Sequence, residues 1–314
     1  MRQSQIRKRK PPPTSDCSPS SASPEAEWPP VAILIPHYND GPRLLRCLDA
    51  LIPQLQEGDE LVVIDNGSDV SLAPVLEQFT GLRIVVETAK GAAHARNRGV
   101  AETCAPLLMF IDSDCIPATD WLATGRTTLK RHRADLVGGR VTVFDETPPP
   151  RSGAEAFETV FAFDFQSYIE TKGFSGSGNL VTRRDVFAAT GPFINGLSED
   201  LDWCHRATAQ GYRLAYDDTL RVAHPTRANW PALTRKWQRL TEESFGINGT
   251  GIVARLRWGA RALAMPVSIL VHAPRVLRHP ELRSGQERVR ALFTLARLRL
   301  ARMIWMLRQT VRGR

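Results

Sequence analysis

The chain has 314 residues, with 41 Lys and Arg against 33 Asp and Glu, 42% hydrophobic residues and five cysteines. This length allows one large domain or two modest ones with a substantial hydrophobic core. The composition excludes collagen-like, largely disordered and disulfide-stapled classes of protein.

Charge is distributed unevenly along the chain. Residues 1–10 carry five basic and no acidic side chains, residues 11–220 carry 17 basic and 29 acidic ones, and residues 221–314 carry 19 basic and four acidic ones. An acidic centre between two basic ends disfavours a protein that wraps nucleic acid over its main face. It favours a basic appendage that contacts an anionic surface, either nucleic acid or anionic lipid.

The cysteine pattern and the N-terminal sequence bear on the cellular compartment. The cysteines are odd in number and show no CxxC spacing, so we expect reduced thiols in the cytoplasm. No apolar run reaches the ~18 residues that a transmembrane helix needs. Residues 1–30 combine a basic cluster with many Pro and Ser residues and have no apolar signal segment, so we predict a disordered tail.

The predicted elements begin with four strand–helix units. Their apolar runs are continuous, which is typical of strands buried on both faces of a parallel sheet. The strands are predicted at residues 31–35, 61–65, 83–87 and 106–112, and the helices at 42–55, 71–79, 91–102 and 118–132. These units indicate an α/β fold with a Rossmann-like, mostly parallel sheet and helices on both faces. Ligands of such sheets bind at the carboxyl ends of the strands.

The pattern is less regular after Leu136. We predict a strand at 135–144, a loop at 147–153, a helix near 154–170, a Gly/Ser segment at 173–179, a helix at 199–210 and strands at 212–216 and 220–224. From about residue 229 the sequence is helical and Arg-rich, interrupted by glycines and by prolines such as Pro266 and Pro274. We therefore predict a catalytic domain over 31–228 and a C-terminal helical extension over 229–314.

Polar residues follow three of the predicted strands. Tyr38 follows the first strand, and Asp65 ends the second. A turn after each strand explains both residues. Asp65 is also suited to accept hydrogen bonds from a base or ribose. Asp112 and Asp114 follow the fourth strand. Two carboxylates so close to a buried strand need compensation, which a divalent cation bridging a diphosphate supplies and which solvation of the loop would also supply.

Four further residues are candidates for binding or catalysis. Arg96 lies in a Gly-rich helix start that lacks the GxGxxG dinucleotide fingerprint, and it is suited to clamp a base or phosphate. Glu199 and Asp200 begin a helix, where the helix dipole favours acidic residues whatever their function. A carboxylate there is also suited to act as general base for an attacking hydroxyl. His224, at the end of a late strand, is a third metal-ligand candidate.

Six segments in this order resemble the family 2 glycosyltransferases of GT-A fold, over about residues 31–225. They are VAILIPHYND, VVIDNGSD, KGAAHARNRG, FIDSDC, GFSGSGNLVTRRDVFAATGPF and LSEDLDWCHRATAQGYRL. Each segment alone is a weak signal, but their shared order is specific. Two features depart from the family: Asn66 stands where many members have a second aspartate, and the QxxRW segment of processive polymerases is missing.

The resemblance implies a role for each candidate residue. It implies nucleotide binding by Tyr38, Asp65 and Arg96, contact of Asp112 with ribose or metal, coordination of Mg²⁺ or Mn²⁺ by Asp114, and catalysis by Asp200 as base with Glu199 beside it. It also marks Ser177 and Asn179 as lesser candidates that line the sugar and acceptor pocket. We retain His224 as a further metal ligand.

The predicted function is that of a metal-dependent inverting glycosyltransferase. It would move a sugar from a nucleotide-diphosphate sugar to a glycan or lipid-linked acceptor in glycan, polysaccharide or glycolipid synthesis. Two alternatives are a nucleotidyltransferase that makes sugar nucleotides and a noncatalytic nucleic-acid-binding protein that uses the basic C-terminal end. The acidic centre argues against the latter, so we expect no nucleic-acid partner.

The last predicted helix, over residues 288–312, is amphipathic and Arg-rich. Its apolar face is predicted to consist of Val289, Leu292, Phe293, Ala296, Leu300, Met303, Ile304, Leu307 and Val311. Such a helix is suited to lie on an anionic membrane surface, or to pack its apolar face on the catalytic domain. The expected location is cytoplasmic, with peripheral attachment to the inner face of the membrane as one possibility.

Overall fold

The computed structural model describes residues 29–79, 81–196, 198–249 and 251–313. Its strands are β1 (Val31–His37), β2 (Glu60–Asp65), β3 (Arg83–Val86), β4 (Leu107–Ile111), β5 (Ile116–Pro117), β6 (Leu136–Phe144), β7 (Asn179–Arg183) and β8 (Leu214–Pro225). Within these ranges the strands form one sheet in the order β3-β2-β1-β4-β7-β6-β8-β5. The tail predicted for residues 1–30 lies, except for its last two residues, outside the described part of the chain.

Within the described ranges, four of the seven pairs of neighbouring strands are parallel and three are antiparallel, in agreement with the predicted, mostly parallel sheet. β1 pairs in parallel with β2 and β4, and β2 with β3, as the strand–helix units predicted. β7 runs antiparallel between β4 and β6, β5 is antiparallel to β8, and β6 and β8 are parallel. β7 was not predicted, because its sequence, NLVTR, has only two consecutive apolar residues.

The helices follow most of the predicted pattern. They are α1 (Gly41–Leu51), α2 (Ala73–Gln78), α3 (Ala92–Ala101), α4 (Trp121–His132), α5 (Gly153–Phe161), α6 (Phe165–Lys172), α7 (Arg184–Thr190), α8 (Glu199–Ala209), α9 (Trp230–Asn248), α10 (Ile252–Arg278) and α11 (Gly285–Arg312). The single helix predicted near 154–170 is divided into α5 and α6. Phe163 has a φ of +56°, and Asp164 caps α6 by accepting a hydrogen bond from the Ser167 N–H. The strands predicted at 212–216 and 220–224 are one strand, β8.

Hydrophobic cores cover both faces of the sheet. On one face, Ile33 and Met109 of the central strands pack with Trp121 of α4 in one cluster. On the other, the alternate strand residues, such as Leu34, pack with Trp203 of α8. Because both faces are buried, the central strands need apolar residues at consecutive positions. This is why continuous runs predicted them correctly.

The C-terminal helices pack on the sheet domain through α5. One cluster joins Phe157 of α5, Leu233 of α9 and Leu295 of α11, all of them buried. Full burial of each such side chain stabilises the fold by about 1.5–3 kcal/mol. α10 is continuous through Pro266 and Pro274, which the sequence analysis expected to interrupt it.

Among the cysteines, Cys47, Cys115 and Cys204 are buried free thiols. Cys104 forms a disulfide, so the expectation of reduced thiols is wrong for that residue. In the described ranges, none of the helices has both the length and the apolar character needed to cross a bilayer.

Candidate active site

The carboxyl ends of β1 and β2 place Tyr38 and Asp65 at the same edge of the sheet. His37 and Asp65 are register partners of the two parallel strands. Asp65 accepts hydrogen bonds from the Ser68 N–H at 3.2 Å and from the Ser68 hydroxyl at 2.5 Å. Tyr38 is 52% exposed, and the Lys90 Nζ lies 4.5 Å from its ring centroid. This edge therefore combines an accepting carboxylate with an exposed aromatic face.

Arg96 of α3 joins two acidic segments that are distant in the sequence. Its Nη2 lies 2.8 Å from Asp112 Oδ1, just after β4, and its Nη1 lies 3.1 Å from Glu199 Oε1 at the start of α8. The side chain is buried. Although burial lowers the pKa of Arg96, the nearby carboxylates of Asp112, Asp200 and Glu199 raise it above its usual value. Arg96 is therefore a permanent cation that fixes the position of both acids.

Asp114 is paired with His224 at the end of β8. His224 Nε2 lies 3.2 Å from Asp114 Oδ2, and His224 Nδ1 lies 2.7 Å from the carbonyl oxygen of Pro225. Burial alone would raise the pKa of Asp114, but His224 and Arg227 lower it to about 2. Asp114 is therefore ionised at neutral pH.

Asp200 lies in the first turn of α8, and its Oδ1 atom is buried without a hydrogen-bond partner. Burial raises the pKa of Asp200 to about 6; the positive charge of Arg96 opposes this rise, and the negative charge of Glu199 adds to it. The buried hydroxyl of Ser177 lies close enough to the Asp200 carboxyl to lower its pKa, although the two make no hydrogen bond of regular geometry. A carboxylate with a raised pKa and an unused oxygen is suited to accept a proton from a bound hydroxyl group.

A cavity of about 780 Å³, called the main cavity below, brings five of the predicted site residues together. They are Asp112, Asp114, Glu199, Asp200 and His224. Tyr38, Asp65 and Arg96 are not part of its lining. Asn179, one of the two lesser candidates, is fully buried and is not part of the lining either. Its side chain accepts a hydrogen bond from Trp121 Nε1 at 2.9 Å and donates one to the Leu220 carbonyl at 2.9 Å.

Residues of the later helices also line the main cavity, and none of them was predicted from the sequence. They include Glu158 of α5, Lys236 and Trp237 of α9, and Arg302 of α11. Glu158 Oε1 lies 2.5 Å from Lys236 Nζ. Glu158 was the one available signal: it lies in the apolar stretch of α5, and a buried acid needs a basic partner. The partner itself, far along the chain, could not be identified from the sequence.

The arrangement of Asp114 and His224 fits a divalent cation. Because a carbonyl oxygen only accepts, His224 Nδ1 carries a proton and Nε2 is directed at Asp114. His224 Nε2 and the Asp114 oxygen, 3.2 Å apart, need between them either a proton, which makes the hydrogen bond that lowers the pKa of Asp114, or a cation in place of that proton. Neighbouring ligands of an octahedral ion, with bonds of about 2.1 Å, lie about 3.0 Å apart. Within the described ranges no group of three or more His, Cys, Asp or Glu residues forms a preassembled site, but Mg²⁺ typically takes only one or two protein carboxylates.

Comparison with known proteins identifies the family. The sequence profile of Glycosyl transferase family 2 matches residues 32–191. Glycosyltransferase AglE of Haloferax volcanii is 31% identical over 274 residues, which cover 84% of this chain and 88% of AglE. The pre-mycofactocin glycosyltransferase of Mycobacterium tuberculosis is 28% identical over 212 residues, 63% of this chain and 43% of that protein.

Two solved structures share the fold. The mannosyltransferase PcManGT of Pyrobaculum calidifontis, in complex with GDP-Man and Mn²⁺, aligns with a TM-score of 0.53 and 17% identity over 92% of this chain and 77% of PcManGT. GalNAc-T7 with UDP, GalNAc and Mn²⁺ aligns with a TM-score of 0.50 and 17% identity. The alignment covers 68% of this chain and 48% of the GalNAc-T7 chain. The mixed sheet with helices on both faces is thus GT-A-like, and the chain belongs to glycosyl transferase family 2.

Proposed function

We propose that the chain transfers a sugar, with inversion, from a nucleotide-diphosphate sugar to a hydroxyl group of a glycan or lipid-linked acceptor. The observation that carries this proposal is the position of Asp200. Its buried, unpartnered Oδ1 belongs to the same cavity lining as Asp112 and Asp114. A proton acceptor and a candidate diphosphate-binding pair are thus combined in one site.

The reaction is one in-line displacement. The acceptor oxygen forms a bond to the anomeric carbon, the bond from that carbon to the diphosphate oxygen breaks, and the hydroxyl proton passes to Asp200. Asp112, Asp114 and His224 would hold a divalent cation, Mg²⁺ or Mn²⁺, which when bound supplies positive charge to the leaving diphosphate. Glu199, held by Arg96, is placed to orient the acceptor. A single displacement inverts the anomeric centre.

Nucleotide binding is assigned to the edge formed by Tyr38 and Asp65. The exposed ring of Tyr38 offers a stacking surface, and the Asp65 carboxylate offers an acceptor for a base or ribose. In this proposal Arg96 acts by fixing Asp112 and Glu199 rather than by clamping the nucleotide, because both of its Nη atoms already contact carboxylates. The nucleotides and Mn²⁺ in the two solved neighbours support a donor and metal of this kind.

We further propose peripheral attachment to an anionic membrane surface through the outer faces of α10 and α11. Five of the nine residues predicted for the apolar face of α11 are exposed: Val289, Phe293, Leu300, Ile304 and Val311. The helix packs mainly through a second face that contains Leu295 and Leu298, while Leu292, Met303 and Leu307 of the predicted face are partly buried at its edge. α10 also exposes apolar residues, among them Leu263, Val267, Leu270 and Val271. Residues 251–313 contain 13 arginines and two acidic residues, which complement anionic lipid.

The test of the transferase proposal is hydrolysis of a panel of nucleotide sugars by the full chain with Mn²⁺ and without acceptor. We expect slow, metal-dependent release of one nucleoside diphosphate, and loss of that release in Asp114→Ala. Failure of every nucleotide sugar to bind or to be hydrolysed would contradict the proposal. The donor identified in this way then allows acceptors to be screened.

A further inference from the structure

The helices α10 and α11 contribute two arginines to the lining of the main cavity, and neither has an acidic partner in the described part of the chain. They are Arg261 of α10, which is exposed, and Arg302 of α11, which is half-buried. Arg302 Nε is buried and has no hydrogen-bond partner, and the guanidinium carbon lies 4.6 Å from the ring centroid of Trp237. Burial, together with the charge of Arg299, lowers the pKa of Arg302 to about 10. The side chain therefore remains a cation at neutral pH.

The two cations that α9 contributes to the lining already have acidic partners. Lys236 Nζ lies 2.5 Å from Glu158 Oε1, and Arg239 Nε lies 3.7 Å from Glu243 Oε1. The acids that α5 and α9 contribute to the cavity, Glu158 and Glu243, are thus paired with Lys236 and Arg239 and not with Arg302. Removing a cation from water without a compensating anion is costly. A bound anion would supply the hydrogen bonds and the charge that Arg302 lacks.

The surroundings of Arg302 indicate which kind of anion fits. Aromatic side chains from three helices line the same cavity, including Phe157, Phe161, Trp237 and Trp258. Guanidinium groups bind phosphate oxygens in a planar, bidentate geometry. The two unpaired charges of Arg261 and Arg302 match the charge of about −1.5 to −2 on a phosphomonoester at neutral pH. The aromatic lining suits an apolar group attached to that phosphate.

We propose that Arg302 and Arg261 form a phosphate-binding subsite at the C-terminal wall of the main cavity, which holds a phosphate group of the acceptor beside its apolar part. Identification of the ligand as the acceptor rests on the proposed function, whereas binding of the phosphate group does not. The phosphate belongs either to a lipid or to a soluble phosphate compound. Both sources share the chemistry that Arg302 recognises.

The test is calorimetric titration of the full chain with octyl phosphate in EDTA, without nucleotide. EDTA removes the cation, so the experiment does not depend on donor binding and its failure differs from failure of the transferase proposal. We expect Arg302→Gln to weaken binding at least about tenfold and Arg302→Lys to weaken it less. The control is Arg235→Gln, because Arg235 is exposed on α9 and is not part of the cavity lining.

Inorganic phosphate and octanol, titrated in the same way, distinguish the sources. Binding of octyl phosphate alone indicates a lipid-like phosphate, and equal binding of inorganic phosphate indicates a soluble one; both support the subsite if they depend on Arg302. The proposal is overturned if the wild type binds neither phosphate, if octanol binds as well as octyl phosphate, or if the affinity of Arg302→Lys and Arg302→Gln equals that of the wild type. Thermal unfolding of each variant checks that it is folded.

Discussion

Arg96 donates a hydrogen bond to Asp112 over 2.8 Å, and this contact links the end of β4 to the start of α8, because the same guanidinium also reaches Glu199. Asp200, the next residue, is thereby held close to a fixed positive charge. That charge opposes the effect of burial on Asp200. The carboxylate keeps a pKa at which it is ionised under neutral conditions but still accepts a proton. The ion pair therefore prepares the proposed base without contacting the reacting atoms.

The first prediction concerns Asp200→Asn. An amide of the same shape cannot accept the hydroxyl proton, so we expect transfer to fall by about 10²–10⁴-fold. Binding of nucleoside diphosphate and Mn²⁺ should change little, because Asp200 is not one of the proposed ligands. Steady-state kinetics and calorimetry measure the two effects separately. Transfer by the variant at a rate near that of the wild type would rule out Asp200 as the base.

The second prediction concerns the pH dependence of the rate. Asp200 must be deprotonated to accept a proton, and burial raises its pKa to about 6 in the free protein. The ionisable groups that act on it are Arg96 of α3, which lowers its pKa, and Glu199 of α8 and Asp112 after β4, which raise it. We expect kcat/KM to rise with pH and to level off above about pH 7. A rate that is constant from pH 5 to 8 would contradict the role of Asp200.

The third prediction concerns stability. The raised pKa of Asp200 suits catalysis, but it lowers the free energy of unfolding at neutral pH. The folded state holds the Asp200 proton more tightly than the unfolded state, whose pKa is near 3.8. The free energy of unfolding therefore falls as the pH rises from about 3.8 to about 6 and stays at the lower value above pH 6. This cost is absent below pH 3.8. Asn carries no charge, so Asp200→Asn should raise the free energy of unfolding at pH 8 by about 1–3 kcal/mol. Urea unfolding at pH 8 and pH 4 measures the difference, which should nearly vanish at pH 4.

The site residues that follow strands could be predicted from the sequence. The site residues that the C-terminal helices contribute could not. Asp112 and Asp114 follow a continuous apolar run, and such a run marks a buried strand whose carboxyl end bears ligands. Trp237 and Arg302 reach the main cavity only because α9 and α11 pack on α5. Local sequence carries no signal for that packing. The same reason explains α11, where the pattern identified an apolar face but not which of its faces is buried.

The fourth prediction concerns the proposed metal ligands. Asp114→Ala removes a carboxylate that is ionised at neutral pH, because His224 and Arg227 lower its pKa to about 2. We expect Mn²⁺-dependent binding of nucleoside diphosphate to weaken about 10–100-fold, and His224→Gln to weaken it as well. Asp218→Ala is the matched control, since Asp218 is an exposed carboxylate outside the main-cavity lining. Unchanged Mn²⁺ dependence in Asp114→Ala would exclude Asp114 as a ligand.

The fifth prediction concerns attachment to a membrane. Leu270 and Val271 of α10 are 76% and 69% exposed, so replacing both with Gln should not affect folding. If these side chains enter the lipid interface, their loss removes about 1–3 kcal/mol each of apolar transfer. We expect the double variant of the full chain to co-sediment at least about tenfold less well with phosphatidylcholine vesicles that contain phosphatidylglycerol. Binding of the wild type should also weaken with added salt, because the arginines contribute through screened charge.

A matched control separates the interface from general hydrophobicity. Leu76 of α2 is 46% exposed and lies outside the C-terminal helices, so Leu76→Gln should leave vesicle binding unchanged. Vesicles of phosphatidylcholine alone test the contribution of lipid charge. If Leu270→Gln/Val271→Gln co-sediments as well as the wild type, α10 does not contact the bilayer.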